Sequence, residues 1–342
     1  MNFEELDHVY IIAELSANHC GDFDIAIKTL KAMKASGADA VKLQTFTPDS
    51  MTMDSEQDWF QTRKDSLWGG QKLFDLYQKA QTPWEWHKKL QDLANDLGLD
   101  FFSSPFDFTA VEKLQSINVP AFKIASFEIT DTPLIQKVAQ TGKPIIISTG
   151  IAREEDIQLA VETCRMENNN QIALLKCTSA YPSPYNEINL KAIPLLKEKY
   201  KVTPGLSDHT LGISVPVAAV TLGAKIIEKH FILDKKLPSV DKDFSLDPFE
   251  FKEMVTAVRQ TEQAMGKATL ELTENAEKAR QSRRSLFVVK NLKKGETLTP
   301  GNVKSLRPGR GLHPKYLQQI IGKKASRDLE AGTPLSFNDI TG

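Results

Sequence analysis

Eight short apolar runs punctuate the chain as far as Phe231, at residues 9–15, 38–45, 100–104, 121–126, 144–149, 172–178, 202–208 and 224–231. Each is the length of a strand buried on both faces. Between them the apolar positions switch to helical spacing, as at Ile25, Ala26, Leu30 and Met33 or Ile157, Leu159, Ala160 and Val161. Strand–helix alternation at this interval predicts a parallel sheet. Every run also carries polar chemistry at or near its end: Glu14, Lys42 with Gln44, Ser103 and Ser104, Lys123 with Ser126, Ser148 and Thr149, Lys176 with Thr178, Asp208 and His209, and His230. Eight strands with reactive ends on one side predict an α/β fold, a (β/α)8 TIM barrel with its active site at the C-terminal face.

The punctuation agrees. Gly37, Gly98, Gly142 and Gly223 fall where helix C-caps belong. Thr82-Pro83-Trp84-Glu85 reads as a capping box with proline at the first helical position, so a helix should start there. The preceding stretch, 46–81, is too long for a plain connection and reads as a functional loop or lid, with Trp59, Trp68, Trp84 and Trp86 as its local core. Beyond a helix over 248–265 the sequence turns polar and ends in Arg280-Gln281-Ser282-Arg283-Arg284. That predicts a catalytic barrel at 1–266, a linker at 267–284 and a small domain at 285–342. The small domain contains a repeat, since residues 290–303 match 327–340 at an offset of 37. Two copies are too few for a solenoid, so a pseudo-symmetric module is expected.

Composition narrows the class. With 41% hydrophobic and 25% charged residues the chain is a folded one, and a net charge of −1 gives no reason to expect nucleic acid or an anionic membrane as partner. Any anion site must be local. Cys20, Cys164 and Cys177 lack metal-ligand spacing and read as buried thiols in a reducing compartment. The acidic start, the absence of a signal-peptide pattern and the lack of a long apolar stretch predict a cytoplasmic location.

His209 and His230 close successive strand candidates and together could share one divalent ion, leaving positions for water and substrate. Asp208 and Glu228 are the carboxylates near enough to orient them. The competing reading is a pair of structural histidines. Lys42, Lys123 and Lys176 lie among apolar residues, and several ammonium groups converging on a barrel interior imply an anion or internal carboxylates between them. Ser126, Ser148 and Thr149 add hydroxyls suited to phosphate or carboxylate, and Gly150 permits close backbone approach. A Schiff-base lysine, as in class I aldolases, is the alternative chemistry. Glu14 is either a base or a salt-bridge partner of a lysine. Asn18-His19 reads as loop-shaping.

The segments 11–19, 38–45, 121–126, 148–150, 205–210 and 228–231 resemble the sialic-acid-synthase family, and the repeat with Arg307-Pro308-Gly309-Arg310-Gly311 is similar to its antifreeze-like, or SAF, domain. Leu15-Ser16-Ala17, where sialic acid synthases usually carry an Ile-Gly-type pair, together with 47–52, 73–77 and 82–87, is most similar to the pseudaminic-acid-forming branch. The resemblance implies condensation of phosphoenolpyruvate with an open-chain N-acetylated amino sugar, here 2,4-diacetamido-2,4,6-trideoxy-L-altrose, with release of phosphate. It implies a divalent cofactor on His209 and His230, Mn2+ first and Mg2+ or Co2+ as the other candidates. Lys42, Lys123, Ser126, Ser148 and Ser207 would hold phosphoenolpyruvate, Glu14 would handle water or its proton, and Gln44, Glu128, Tyr181 and Asp241 would face the sugar. Arg307 would reach a partner's active site in a homodimer with swapped SAF domains. Ser179 stands where sialic acid synthases tend to have asparagine, which argues against N-acetylmannosamine. The neighbouring alternatives are a sialic or legionaminic acid synthase; outside the class stands a non-enzymatic carbohydrate-binding protein.

Overall fold

In the computed structural model, residues 2–64 and 67–342 are described; Met1, and Asp65 and Ser66 of the long excursion, lie outside the described residues. The chain divides into two compact units, Met1–Gly266 and Lys267–Gly342. The first is a closed barrel of eight strands in sequence order: β1 (Tyr10–Glu14), β2 (Ala40–Thr45), β3 (Asp100–Pro105), β4 (Phe122–Ile124), β5 (Ile145–Ser148), β6 (Ile172–Cys177), β7 (Thr203–Asp208) and β8 (Ile226–His230). All neighbours run parallel, and β8 returns to β1 in the register Tyr10–Ile226 through Glu14–His230. The apolar runs follow from this closure: Ile145, Ile146 and Ile147 are all fully buried because side chains on both strand faces are covered. A helix follows every strand, from Phe23–Ala35 after β1 to Pro248–Met265 after β8. Gly37, Gly98, Gly142 and Gly223 sit just past helix ends with φ of +91°, +66°, +68° and +95°. At the base of the barrel, Arg259 of the last helix donates to Val9 O and pairs with Asp39 at 3.0 Å, tying the end of the unit to its beginning.

The excursion at 46–81 is structured rather than a bare loop. It holds short helices Pro48–Met51 and Leu73–Ala80 and an antiparallel bridge between Gln61 and Lys72. The helix Leu73–Ala80 carries a short apolar stripe at Leu73, Leu76, Tyr77 and Ala80, of which only Leu76 is fully buried; its two turns are easily read as loop. Thr82 is not a helix cap: its hydroxyl meets His19 Nε2 at 3.2 Å, and the helix Trp86–Asp96 begins after an intervening turn. Nor do the four tryptophans form one local core. Trp84 donates to Phe46 O and Trp86 packs on His19 and Phe23, but Trp68 reaches Val240 O and the Tyr181 ring, and Trp59 is 72% exposed. Asn18 shapes the loop as expected, bonding Phe231 O, Ser245 and Ser239. Among the described residues no helix is long and apolar enough to cross a membrane.

The second unit opens with a helix, Glu274–Arg280, inside the stretch expected to be linker. It then pairs Ser285–Val288 with Val303–Leu306 and Lys324–Ala325 with Ile340–Thr341. The repeat is written into its hydrogen bonds. Leu292 and Leu329, equivalent by the 37-residue offset, bond each other reciprocally at 2.8 Å. Around them, Gly295 N to Ala325 O is matched by Gly332 N to Val288 O, and Leu298 N to Lys323 O by Leu335 N to Leu286 O. The two copies are therefore related by an approximate two-fold through the Leu292–Leu329 pair. Leu286, Val288, Leu292, Leu298, Val303, Leu329 and Leu335 fill the space between them.

Candidate active site

Alternation along the strands decides which side chains enter the barrel. Lys42 and Gln44 of β2, Ser207 of β7 and Glu228 and His230 of β8 share one cavity with Glu14 of β1, Lys123 of β4, Ser148 of β5 and Cys177 of β6. Ser126, Tyr181 and His209, each just past a strand, complete its rim. Gly150 keeps this end narrow: a Cβ there would lie 2.3 Å from Ser179 Oγ and 2.6 Å from Ser126 Oγ.

Inside, two ammonium groups and two carboxylates form one network. Lys42 Nζ lies 2.6 Å from Glu14 Oε1 and 3.6 Å from Glu228 Oε1. Lys123 Nζ lies 3.4 Å from Glu228 Oε1 and donates to Ser148 Oγ at 2.7 Å. Ser207 Oγ donates to Glu228 at 3.1 Å and Gln44 Nε2 to Glu14 at 2.8 Å. Burial opposes charge on Glu14, but His230 and Lys42 outweigh it and hold its carboxyl well below the usual range. Burial likewise opposes charge on Lys42, which Glu14 and Glu228 more than offset, whereas for Lys123 burial prevails and its ammonium falls below the usual range. Glu228 Oε2 is buried with no hydrogen-bond partner. The network thus fixes two cations in a small space and leaves acceptor capacity unused.

The histidines stand beside it with ring centroids 5.4 Å apart. His209 Nδ1 lies 3.1 Å from Thr178 O, and His230 Nε2 lies 3.2 Å from Glu14 Oε2. Each ring is oriented through one nitrogen by an acceptor, so in its neutral form the other nitrogen keeps a lone pair. For His209, burial opposes charge, but Cys177 and the Thr178 carbonyl outweigh it and raise the ring's pKa. Burial pushes His230 down to about 4, leaving it neutral, and its Nδ1 is buried without a hydrogen bond. Asp241, pushed up to about 6 by burial, takes the Ser16 hydroxyl at 2.5 Å and lies 3.8 Å from that nitrogen. These groups fit a divalent ion held by two imidazole nitrogens. Among the described residues no set of three or more His, Cys, Asp or Glu side chains is arranged around one metal position, so further ligands would come from water and substrate.

Several sequence expectations change here. Asp208 does not orient a histidine: its carboxylate takes Lys229 Nζ at 2.5 Å and the Thr210 amide and hydroxyl, on the outer side of the barrel. Glu228 serves the lysines, and Glu14 serves both Lys42 and His230. Lys176 does not join the cavity; it donates to Cys177 O and lies 3.4 Å from the Thr178 hydroxyl. Glu128 follows β4 in the turn Ser126–Thr130, outside the cavity lining, with Oε2 buried and unpartnered and its carboxyl pushed up to about 7 by burial. Arg307 belongs to the second unit. Sequence reasoning missed Cys177, whose thiol lies 3.9 Å from His209 Nδ1; its in-phase spacing with Leu175 was the available clue.

The chain is similar to known proteins. Residues 29–269 match the model of the NeuB family and residues 283–341 that of the SAF domain. The chain is 52% identical to the pseudaminic acid synthase of Helicobacter pylori, covering 96% of this chain and 97% of that one. It is 50% identical to the pseudaminic acid synthase of Campylobacter jejuni serotype O:23/36, over 99% and 98%. The crystal structure of N-acetylneuraminic acid synthetase from Leptospira borgpetersenii, in complex with citrate, is 30% identical and superposes with a TM-score of 0.72 over 80% of this chain and 90% of that chain. With its eight-stranded barrel, lysine–carboxylate cavity and C-terminal repeat, the chain belongs to the NeuB family of sialic-acid-synthase-type enzymes and carries a SAF domain.

Proposed function

We propose that this enzyme condenses phosphoenolpyruvate with 2,4-diacetamido-2,4,6-trideoxy-L-altrose and water to give pseudaminic acid and phosphate. The observation that carries the reading is the meeting, in one cavity, of an anion-binding pair, Lys42 and Lys123, with two imidazoles each oriented through one ring nitrogen. The half-identical pseudaminic acid synthases, matched over nearly their whole length, support the choice of sugar.

Lys42 and Lys123 are assigned to the phosphate and carboxylate of phosphoenolpyruvate, with Ser126, Ser148 and Ser207 as hydroxyl donors. His209 and His230 are assigned to a divalent ion, Mn2+ in preference to Mg2+ or Co2+. Bound there, the ion supplies Lewis acidity to the sugar aldehyde. The enol carbon of phosphoenolpyruvate forms the new bond to the aldehyde carbon, whose oxygen becomes a hydroxyl, and water adds to the cationic C2 before the phosphate bond breaks. Glu14, held ionised between Lys42 and His230, is placed to take the proton of that water. Gln44, Tyr181 and Asp241 are assigned to the sugar, and Glu128, outside the cavity lining, only to a part of the sugar that extends beyond it. Tyr181, 4.5 Å from the His209 ring, has its hydroxyl pushed well above the usual range by burial and donates as a neutral group.

We further assign the assembly to a homodimer in which Arg307 of one chain completes the other chain's site, and the location to the cytoplasm, where phosphoenolpyruvate is made. The test is phosphate release against a panel of N-acetylated hexoses. The diacetamido-trideoxy sugar should be preferred over N-acetylmannosamine, because a pocket built for an acetamido group strands its polar partners against a hydroxyl. Comparable kcat/KM on both would move the enzyme to the sialic or legionaminic branch. No phosphate release with any sugar would leave a carbohydrate-binding role.

A further inference from the structure

The outer side of the β7–β8 seam carries a buried ion pair that the reaction does not use. Asp208 and Lys229 are register partners across the two strands, the final pair of that ladder, and both side chains are fully buried outside the cavity. Their contacts close into a ring. Lys229 Nζ reaches Asp208 Oδ2 at 2.5 Å and also Thr210 O; Asp208 Oδ1 takes the Thr210 amide at 3.0 Å and Oδ2 its hydroxyl at 3.1 Å.

His209 and His230 each follow one member of this pair in sequence. They stand one step past the last paired residues of the seam, where the backbone ladder no longer sets the distance between β7 and β8. A buried ion pair is no more stabilising than apolar side chains of the same volume, so stability alone gives no reason for charge here. A cross-link with four directed contacts does something apolar packing cannot: it fixes the spacing and twist of two strand ends. We infer that Asp208, Lys229 and Thr210 are positioning residues that hold His209 and His230 at metal-binding separation from the opposite face of the sheet. The inference rests on the assignment of those histidines to a divalent ion.

The experiment is calorimetric titration of metal-free enzyme with Mn2+, with thermal melting as the fold check. His209→Ala should abolish binding; if it does not, or if wild type binds no Mn2+, the histidine assignment fails and this inference with it. Given that control, the double variant Asp208→Asn with Lys229→Met removes both charges at nearly constant volume. It should stay folded yet bind Mn2+ about tenfold or more weakly, the size of effect seen when groups that orient metal ligands are lost. Because the lysines that bind anion lie on β2 and β4, KM for phosphoenolpyruvate at saturating Mn2+ should stay near the wild-type value. Lys229→Arg on an otherwise wild-type chain, which can keep the cross-link, should retain much of the wild-type affinity. A folded double variant with Mn2+ affinity within roughly twofold of wild type overturns the inference, since it falls below the range for such groups. Should the double variant fail to fold, Thr210→Val decides: it keeps the ion pair and removes one contact, and unchanged affinity overturns the inference equally.

Discussion

The barrel contains two buried charge networks that adjoin on β8, at Glu228 and Lys229, and they are finished differently. On the outer side of the sheet, the Asp208 carboxylate meets Lys229 and both donors of Thr210, and no atom of either charged side chain is left buried without a partner. On the inner side, Glu14, Lys42, Lys123 and Glu228 also neutralise one another, yet Glu228 Oε2 and His230 Nδ1 have no hydrogen bond. A closed network rigidifies; an open one waits for a ligand. The unmet valences mark which of two chemically similar clusters does the chemistry.

That contrast can be broken in several ways. Lys229→Ala leaves Asp208 charged and fully buried, and should destabilise the protein by about 3–5 kcal/mol, with no recovery on adding methylammonium. Urea denaturation with and without methylammonium measures this, and rescue would mean the outer network is not closed. Lys123→Met should lower kcat/KM for phosphoenolpyruvate by roughly 100- to 1000-fold, as loss of a preorganised electrostatic contact does. Steady-state phosphate release checks it, and a loss below tenfold would remove Lys123 from the anion site.

Glu128 gives a pH-dependent case. Its carboxyl loses its proton near the ordinary 4.5 in the unfolded chain but near 7 in the folded one, because burial without a partner for Oε2 opposes the charge. Between those values the folded state binds more protons, so its contribution to stability is greatest below 4.5 and is lost as pH rises through 7. Glu128→Gln should therefore be more stable than wild type at pH 8 by on the order of 2–3 kcal/mol and show no such advantage at pH 4. Parallel denaturant melts at the two pH values decide it. The smallest effect is expected for Glu228→Gln, about 1–2 kcal/mol of destabilisation, because Lys42 and Lys123 keep other partners. Here phosphate should restore stability by supplying the missing negative charge, and the same melts would show its failure to do so.

The barrel was legible because all eight strands obey one rule, burial on both faces, which writes short apolar runs into the chain. Alternation within β8 was legible too, placing Glu228 and His230 on one face. What the sequence could not supply was the partner of each charge, since Glu228 faces Lys42 and Lys123 from strands far away in sequence. Asp208 was misassigned for the same reason: it adjoins His209 in the chain, but strand alternation turns the two in opposite directions. Lys229 lies between Glu228 and His230, which draw the chemistry to themselves, and its place out of phase with both is the clue that it faces the other way. Lys176 was drawn into the lysine cluster by its apolar neighbours, yet it is out of phase with the inward-facing Cys177. The exposure of Trp59 depends on how the excursion folds, which no local pattern records, whereas the helix Leu73–Ala80 carries a readable stripe at Leu73, Leu76, Tyr77 and Ala80.

The reciprocal Leu292–Leu329 bond places the axis of the C-terminal repeat on residues that are each other's counterparts. Each half therefore already presents the edge that its own duplicate would need. A self-complementary surface of this kind is what an isologous homodimer has before its subunits are joined. The module is then legible as a dimer carried on one polypeptide, and a substitution on the axis would count once in this chain but twice in the unfused form.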